Sequence, residues 1–169
     1  MWFEFINYFG DNIYRAGAVV LLFTGYLFHK YYRRQAILTF LTLLSLPYSV
    51  VLKLFFQHQR PDNLLHIYTS FTDYYSFPST HTVFYTAFWG FVLYLCYKLG
   101  RLDKLLRIVV GSTALAFMLL VGVSRVMVGA HWVKDVVGGY FFGGIFLVFL
   151  ILLNKGLDYP RVEDQNQNN

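Results

Sequence analysis

The chain of 169 residues has the length of one domain, and only 14% of its residues are charged, against about 25% in soluble domains. Hydrophobic residues make up 57% of the sequence and aromatic residues 21%, which excludes an ordinary soluble domain and indicates a membrane protein. The single cysteine, Cys96, excludes disulfides within the chain, and its place in an apolar run predicts a packed thiol. No Cys/His cluster has zinc-ligand spacing, so neither a metal nor another cofactor is expected.

The apolar runs predict five membrane-spanning helices, because each approaches the length that crosses a bilayer. They lie at 13–29, 36–55, 81–98, 105–125 and 132–153. Pro47 predicts a kink in the second helix, and the opening MWFEFINYF, too short to span, predicts an interfacial helix. Residues 1–157 are therefore expected to form one integral membrane domain, followed by a polar cytoplasmic tail at 158–169.

Lysine and arginine predict how these helices are oriented in the membrane. Nine of the fourteen fall in connections on one side, namely Lys30, Arg33, Arg34, Lys98, Arg101, Lys104, Arg107, Lys155 and Arg161. That side is expected to be cytoplasmic, which leaves the N-terminus outside and the C-terminus inside. The net charge of +5 is thus a topology signal and does not indicate nucleic-acid binding.

Three polar stretches that are distant in sequence are expected to meet at the outer face. The second helix ends in KLFFQHQRP, the third begins at FPSTH, and SRVMVGAHWVKD joins the fourth to the fifth. Lys53, Arg60 and Arg125 would then bring three cations together, which is unfavourable unless an anion binds between them. Phosphate fits this requirement, because arginine binds its oxygens bidentately and lysine binds as a point charge.

Two histidines and a carboxylate supply chemistry to the same cluster. His131 and Asp135 are four residues apart, so on a helix they share a face and the carboxylate can orient the imidazole. His131 is then a candidate nucleophile, and His81 is a candidate proton donor to the leaving oxygen. Ser79 and the backbone N–H groups of Thr80 and His81 add donors at a predicted helix start, where the helix dipole favours anions.

Each of these residues also has a simpler interpretation. Lys53 alone is typical of an interfacial lysine, and His131 alone fits a hydrogen-bonded packing residue. His81 fits a helix cap, and Asp135 beside Lys134 fits a solvated ion pair. Their joint occurrence on one face favours a functional site, because ionisable residues in membrane segments usually mark function.

The three stretches resemble the signature of the type 2 phosphatidic acid phosphatase (PAP2) family, which shares its site with vanadium haloperoxidases. The signature is Lys-x6-Arg-Pro, Pro-Ser-x-His and Ser-Arg-x5-His-x3-Asp, and the chain matches every position at 53–61, 78–81 and 124–135. The resemblance implies an all-α polytopic membrane helix bundle with a PAP2/haloperoxidase-like core. Two departures are Thr80, where the family often has Gly, and five predicted helices where its usual core has six.

The resemblance also implies a role for each matching residue. It implies that His131 forms a phosphohistidine intermediate, that Asp135 orients His131, and that His81 protonates the leaving group. The implied phosphate ligands are Lys53, Arg60, Ser79, Thr80 and Arg125, with Pro61, Pro78 and Ser124 in supporting positions. No metal or cofactor takes part in the implied reaction.

The expected function is that of a lipid phosphatase in the bacterial inner membrane, with a periplasmic site that hydrolyses a phosphate monoester or pyrophosphate. Candidate substrates are lipid A 1-phosphate and undecaprenyl pyrophosphate, which are preferred, then phosphatidylglycerophosphate and phosphatidic acid. A lipid phosphotransferase using the same histidine and a non-catalytic lipid-phosphate binding or transport protein are the alternatives. A soluble haloperoxidase is disfavoured by the spanning segments, and no obligatory protein partner is expected.

Two further features have two interpretations each. Gly138, Gly139, Gly143 and Gly144 form small-residue pairs that predict close helix packing, within the bundle in preference to a dimer seam. The aromatic stretch IYTSFTDYYSFP fits either a lid over the site or an aromatic belt at the membrane interface.

Overall fold

A computed structural model describes residues 13–60, 74–99 and 103–156. Within these ranges the elements are α1 (Ile13–His29), α2 (Arg33–Leu41), a 3-10 turn (Thr42–Leu44), α3 (Ser45–Phe56), α4 (Thr80–Lys98), α5 (Lys104–Met127) and α6 (Val133–Gly156). The predicted interfacial helix at the N-terminus, the tail at 158–169 and most of the aromatic stretch lie outside the described residues.

Helices occupy all five positions at which the sequence predicts a spanning segment. The continuous segment Arg33–Phe56, together with α5 and α6, is long and apolar enough to cross a membrane, whereas α1 is a shorter apolar helix. The irregularity predicted at Pro47 takes the form of the 3-10 turn that precedes it. Pro47 has no N–H to bond the carbonyl four residues upstream, so regular α-helical bonding is interrupted there.

The central helix is α4, which packs extensively against both α5 and α6. Every residue from Thr82 to Val92 is buried. Since this stretch contacts protein on all sides, it does not need the lipid-facing apolar surface of a peripheral spanning helix. This explains why α4, with polar Thr82 and Thr86, is not among the segments that are apolar enough to span by composition.

Two apolar clusters hold the bundle together around α4. The first cluster joins Phe84, Phe88 and Trp89 to residues of α1 and α5, and the Trp89 ring stacks on Phe117 at a centroid distance of 5.0 Å. It includes Cys96, which confirms the predicted packed thiol. The second cluster lies nearer the other end of α4 and joins it to α2 and α6.

Glycines bring α6 unusually close to α4. A Cβ added at Gly139 would lie 2.6 Å from the Thr82 Cβ, and one at Gly143 would lie 2.8 Å from the Val83 carbonyl oxygen. Gly138 packs against the ring of Phe77 in the same way. The predicted close packing within the bundle is therefore confirmed at these three glycines. At Gly144 the prediction is wrong, because nothing lies within 4 Å of an added Cβ there.

Candidate active site

Residues of all three signature stretches meet at one end of the bundle. Lys53 lies in the last turn of α3, Ser79 immediately precedes α4, and Arg125 lies in the last turn of α5. His131 and Asp135 lie at the start of α6, and all five side chains are buried. Burial of so many polar groups is costly, so their clustering marks this end as the candidate site.

The turn between α5 and α6 delivers His131 to the site. The amide of Gly129 bonds the Val126 carbonyl at 2.9 Å, and the amide of Ala130 bonds the Arg125 carbonyl at 3.2 Å. This is the Schellman pattern, which requires a left-handed residue, and Gly129 has φ 74°. The five residues between Arg125 and His131 thus form the C-terminal cap of α5 and the turn that reverses the direction of the chain.

His131 and Asp135 form the buried pair that the sequence predicts. His131 Nδ1 lies 3.5 Å from Asp135 Oδ2, which is close enough for an ion pair but longer than a hydrogen bond. The same oxygen accepts a 2.9 Å hydrogen bond from the backbone amide of Trp132, so Asp135 also caps the start of α6. Because Nδ1 faces the carboxylate, Nε2 is the nitrogen left for attack.

The surroundings of His131 keep its imidazole neutral. Burial lowers the pKa of His131 from 6.5 to about 4, although the interaction with Asp135 opposes this shift. The positive charges of Arg60 and Lys53 contribute to the same lowering of the His131 pKa. A neutral imidazole has a free lone pair at neutral pH, which is the state that a nucleophile needs.

The start of α4 is tied directly to the His131–Asp135 pair. The Ser79 amide donates a 3.0 Å hydrogen bond to the Asp135 carbonyl. The first intrahelical bond of α4 runs from Val83 to the Ser79 carbonyl, so the amides of Thr80 and His81 are among the first-turn donors that precede it. The first turn of α4 therefore begins next to the backbone of Asp135, and the His81 side chain in that turn is partly exposed.

In the part of the chain that the structure describes, the buried atoms Ser79 Oγ, His131 Nδ1 and Asp135 Oδ1 have no hydrogen-bond partner. Ser79 occupies the N-cap position, yet its hydroxyl does not cap α4. Such atoms are rare in folded proteins, and their occurrence in one place is typical of a site built for a ligand.

Backbone carbonyls hold two of the predicted cations in place. Lys53 Nζ donates to the Tyr75 carbonyl at 2.6 Å, and Arg60 Nη1 donates to the Ala130 carbonyl at 3.1 Å. Ala130 immediately precedes His131. Arg60 therefore connects the segment after α3 to the loop that carries the candidate nucleophile.

Two of the three supporting residues of the signature, Ser124 and Pro78, lie in the described part of the chain. The Ser124 hydroxyl bonds back to the Val121 carbonyl at 3.0 Å, within α5. Pro78 is fully buried just before the N-cap of α4, whereas Pro61 lies outside the described residues.

Ser76 is a contributor that the sequence does not reveal. Its side chain is fully buried, and its hydroxyl donates to the carbonyls of His58 at 3.0 Å and Gln59 at 2.9 Å. These bonds join the stretch that leads into α4 to the stretch that leads to Arg60. No periodicity or motif marks Ser76, because it lies between aromatic residues in a connection.

This helix bundle, with a buried His–Asp pair and buried cations at one end, defines a polytopic membrane protein with a polar site at one end. The chain belongs to the PAP2 superfamily, whose model matches residues 34–157. The family and the all-helical membrane fold that the resemblance implies are thereby confirmed.

Two relatives are from Bacillus subtilis. Phosphatidylglycerophosphatase B of strain 168 is 35% identical over 112 residues, which are 64% of this chain and 50% of that protein. The chain thus spans half the length of this curated relative. The crystal structure described as the first transmembrane PAP2 type phosphatidylglycerolphosphate phosphatase matches with a TM-score of 0.74 at 24% identity, covering 94% of this chain and 78% of that one. This structural match supports the fold.

Proposed function

We propose that this protein is an integral membrane phosphatase that hydrolyses a phosphate monoester or pyrophosphate of a membrane lipid through a phosphohistidine intermediate. The observation that carries the proposal is the buried His131–Asp135 pair, whose imidazole lies close enough to Lys53 and Arg60 for their charges to lower its pKa. A phosphate held by those cations is placed for attack by a neutral nucleophile.

In the first step His131 Nε2 attacks phosphorus, and the bond between phosphorus and the lipid oxygen breaks. His81 gives its proton to that oxygen, so the lipid leaves as an alcohol, or as a lipid phosphate when the substrate is a pyrophosphate. Asp135 stabilises the positive charge that develops on the imidazole and keeps Nδ1 directed toward itself. The product of this step is a phosphohistidine.

In the second step a water molecule attacks the phosphohistidine, and the bond between phosphorus and Nε2 breaks. His81, now deprotonated, accepts a proton from that water. Inorganic phosphate is released, and both histidines regain their starting states. Lys53, Arg60 and Arg125 neutralise the phosphoryl oxygens throughout, together with Ser79 and the first-turn amides of α4.

The substrate class follows from where the site lies. Buried cations at the ends of membrane-length helices lie at the depth of the lipid headgroups. The phosphate of a lipid can therefore enter the site while its acyl chains stay in the bilayer. Lipid A 1-phosphate and undecaprenyl pyrophosphate are the preferred candidates, although the sequence itself does not rank the substrates. The names of the relatives add weight to phosphatidylglycerophosphate. The expected location is the bacterial inner membrane, with the site on the periplasmic face.

The test is phosphate release by the purified protein from a panel of these lipids, with phosphatidic acid included and a chelator present. The expected result is release from at least one lipid, inhibition by vanadate, and loss of release in His131→Ala. Activity that disappears with the chelator and returns with magnesium would contradict the mechanism.

The same assay separates the two alternatives. A phosphotransferase would move the phosphoryl group to an added alcohol with little free phosphate. A non-catalytic binding or transport protein would release no phosphate from any of the lipids, and its His131→Ala variant would keep its biological activity in cells. Either result would replace the proposed hydrolase.

A further inference from the structure

An apolar cavity of 270 Å³ opens at the end of the bundle opposite His131. Its walls come from the second half of α1, the last turns of α4 and the first turns of α5. The cavity lies where the two apolar clusters meet, because Val92 belongs to the first cluster and Leu95 to the second. Phe23 also lines it and packs edge-on against the Trp89 ring at a centroid distance of 5.9 Å. One wall is therefore part of the first cluster.

The lining of this cavity determines what kind of molecule can occupy it. Its surface is almost wholly aliphatic and aromatic, and apolar cavities exclude water because water needs polar partners. A gap of this kind loses the dispersion contacts of its walls unless an apolar group fills it. Leu22 of α1 and Leu106 of α5 line the cavity and are also exposed, so it is open toward the surrounding lipid. A lipid acyl chain, which is as apolar as the lining, fits these conditions.

Two cations in the first turns of α5 lie beside the cavity. Arg107 lines the cavity and also an adjoining groove, which it shares with Lys104. The two residues are three apart on α5, so their side chains share a face. The carboxylate nearest to them in sequence, Asp103, caps α5 by accepting from the Leu106 amide at 3.1 Å. Basic pockets between membrane helices bind anionic headgroups, and arginine binds phosphate bidentately.

We propose that this end of the bundle binds an anionic phospholipid, with an acyl chain in the cavity and the phosphate on Arg107 and Lys104. The orientation expected from lysine and arginine places this end at the cytoplasmic face, where anionic lipids supply the negative surface charge. The bound lipid is not a substrate, because its phosphate lies at the end opposite His131. Its chain joins α1 to α4 and α5, so binding stabilises the folded bundle by mass action.

Cys96 provides a reporter at this site. It is the single cysteine of the chain, and it lines both the cavity and the adjoining groove. A bound acyl chain covers the Cys96 thiol and slows its alkylation by N-ethylmaleimide, which appears as one adduct in the mass of the intact protein. Lipid in the candidate active site leaves this rate unchanged, because His131 lies at the other end of the bundle.

The experiment compares alkylation of Cys96 in mixed micelles of phosphatidylglycerol or phosphatidylcholine with identical acyl chains. Phosphatidylglycerol should slow the reaction about tenfold more than phosphatidylcholine, the effect of one charged hydrogen bond. In Arg107→Gln the two lipids should slow it equally. Lys155→Met removes the same charge from an exposed position in the last turn of α6 and should retain the difference. Val110→Phe, which fills the cavity but keeps Arg107, should lose the difference.

Several outcomes would overturn the lipid site. Equal rates with the two lipids in the wild-type protein would mean that the cavity takes neutral lipid chains without an anion site. A difference that persists in Arg107→Gln would mean that another group binds the headgroup. Protection that rises with protein concentration in the absence of lipid would identify a second copy of this chain as the occupant.

A second measurement applies if Cys96 reacts too slowly with either lipid present. The midpoint of thermal unfolding should then be higher in phosphatidylglycerol than in phosphatidylcholine for the wild-type protein, and equal in the two lipids for Arg107→Gln. Equal midpoints in the wild-type protein would overturn the proposal.

Discussion

The two ends of the bundle bury very different groups. At one end lie Lys53, Arg125, His131 and Asp135, all buried. At the opposite end a cavity of 270 Å³ opens between α1, α4 and α5, and its lining is apolar except near Arg107. In a membrane protein an apolar cavity is inexpensive, because lipid chains are as apolar as its lining.

The comparison teaches that the cost of burial locates the site better than the volume of a cavity does. Buried cations and a carboxylate are stable only with compensating partners, and in membrane proteins such residues usually mark a functional site. The cavity is lined almost wholly by aliphatic and aromatic groups, and Arg107 is the only cation among its lining residues. Substitutions at one end of the bundle can therefore be compared with substitutions at the other.

The largest effect is expected from Asp135→Asn. The asparagine amide can present an N–H to His131 Nδ1, which favours the tautomer with its proton on Nε2 and removes the attacking lone pair. We expect kcat to fall about a thousandfold or more, measured as phosphate release. Both contacts of Asp135 use Oδ2, so an Asn that presents its N–H to His131 loses the bond from the Trp132 amide, and thermal unfolding in detergent checks that the fold persists. Near-normal kcat would mean that Asp135 serves α6 only as a cap.

A charge-conserving change at Arg125 should have the next largest effect. Arg125→Lys keeps the positive charge but loses the planar pair of donors, so kcat/KM should fall about a hundredfold. The matched control is Lys155→Met, since Lys155 is an exposed cation in the last turn of α6 at the opposite end. A comparable loss in Lys155→Met would show that the effect of Arg125→Lys is not specific to the site.

The glycine contacts provide a smaller, structural test. Gly139→Ala places a Cβ 2.6 Å from the Thr82 Cβ and should cost about 1–3 kcal/mol by overpacking. The start of α4 should shift with it, which lowers activity severalfold. Gly144→Ala meets nothing within 4 Å and should leave thermal stability unchanged or slightly raised. Thermal unfolding in detergent measures both, and equal midpoints would argue against the tight α4–α6 contact.

The smallest effect concerns the titration of His131. Its pKa is lowered to about 4, so the folded protein disfavours the protonated imidazole and His131 stays neutral as the pH falls from 7 to 5. The unfolded chain binds a proton near pH 6.5, so this group costs stability as the pH falls from about 6.5 to about 4. NMR of isotope-labelled histidine, assigned with His131→Gln, measures the midpoint. A midpoint near 6.5 would contradict the buried, cation-flanked environment.

The sequence predicts the helices, and the meeting of polar residues at one end of the bundle, for a physical reason. Membrane-length apolar runs leave few alternatives to helix, since backbone polar groups must be satisfied within the segment. Ionisable residues whose burial costs free energy, such as Lys53 and Asp135, are easily recognised in an apolar sequence. Their fixed spacing in the sequence, including the left-handed Gly129 that ends α5, restricts where their side chains can come together.

The connections between these residues could not be read from the sequence. The carbonyls of Tyr75 and Ala130, which hold Lys53 and Arg60, belong to residues whose side chains carry no signal. The orientation of Gly144 was mispredicted because it lies next to Gly143, and adjacent helix residues point about 100° apart. Lys134 Nζ lies 2.6 Å from His58 Nε2, a pairing that depends on how two distant segments fold together.

The most direct test of the central claim is to trap the intermediate on His131. The protein is mixed with a lipid carrying radiolabelled phosphate, denatured within one turnover, and digested for mapping. The account predicts label on the peptide that contains His131, stable to alkali and lost in acid, and absent from His131→Ala. Label on a different residue, or undiminished turnover by His131→Ala, would contradict it.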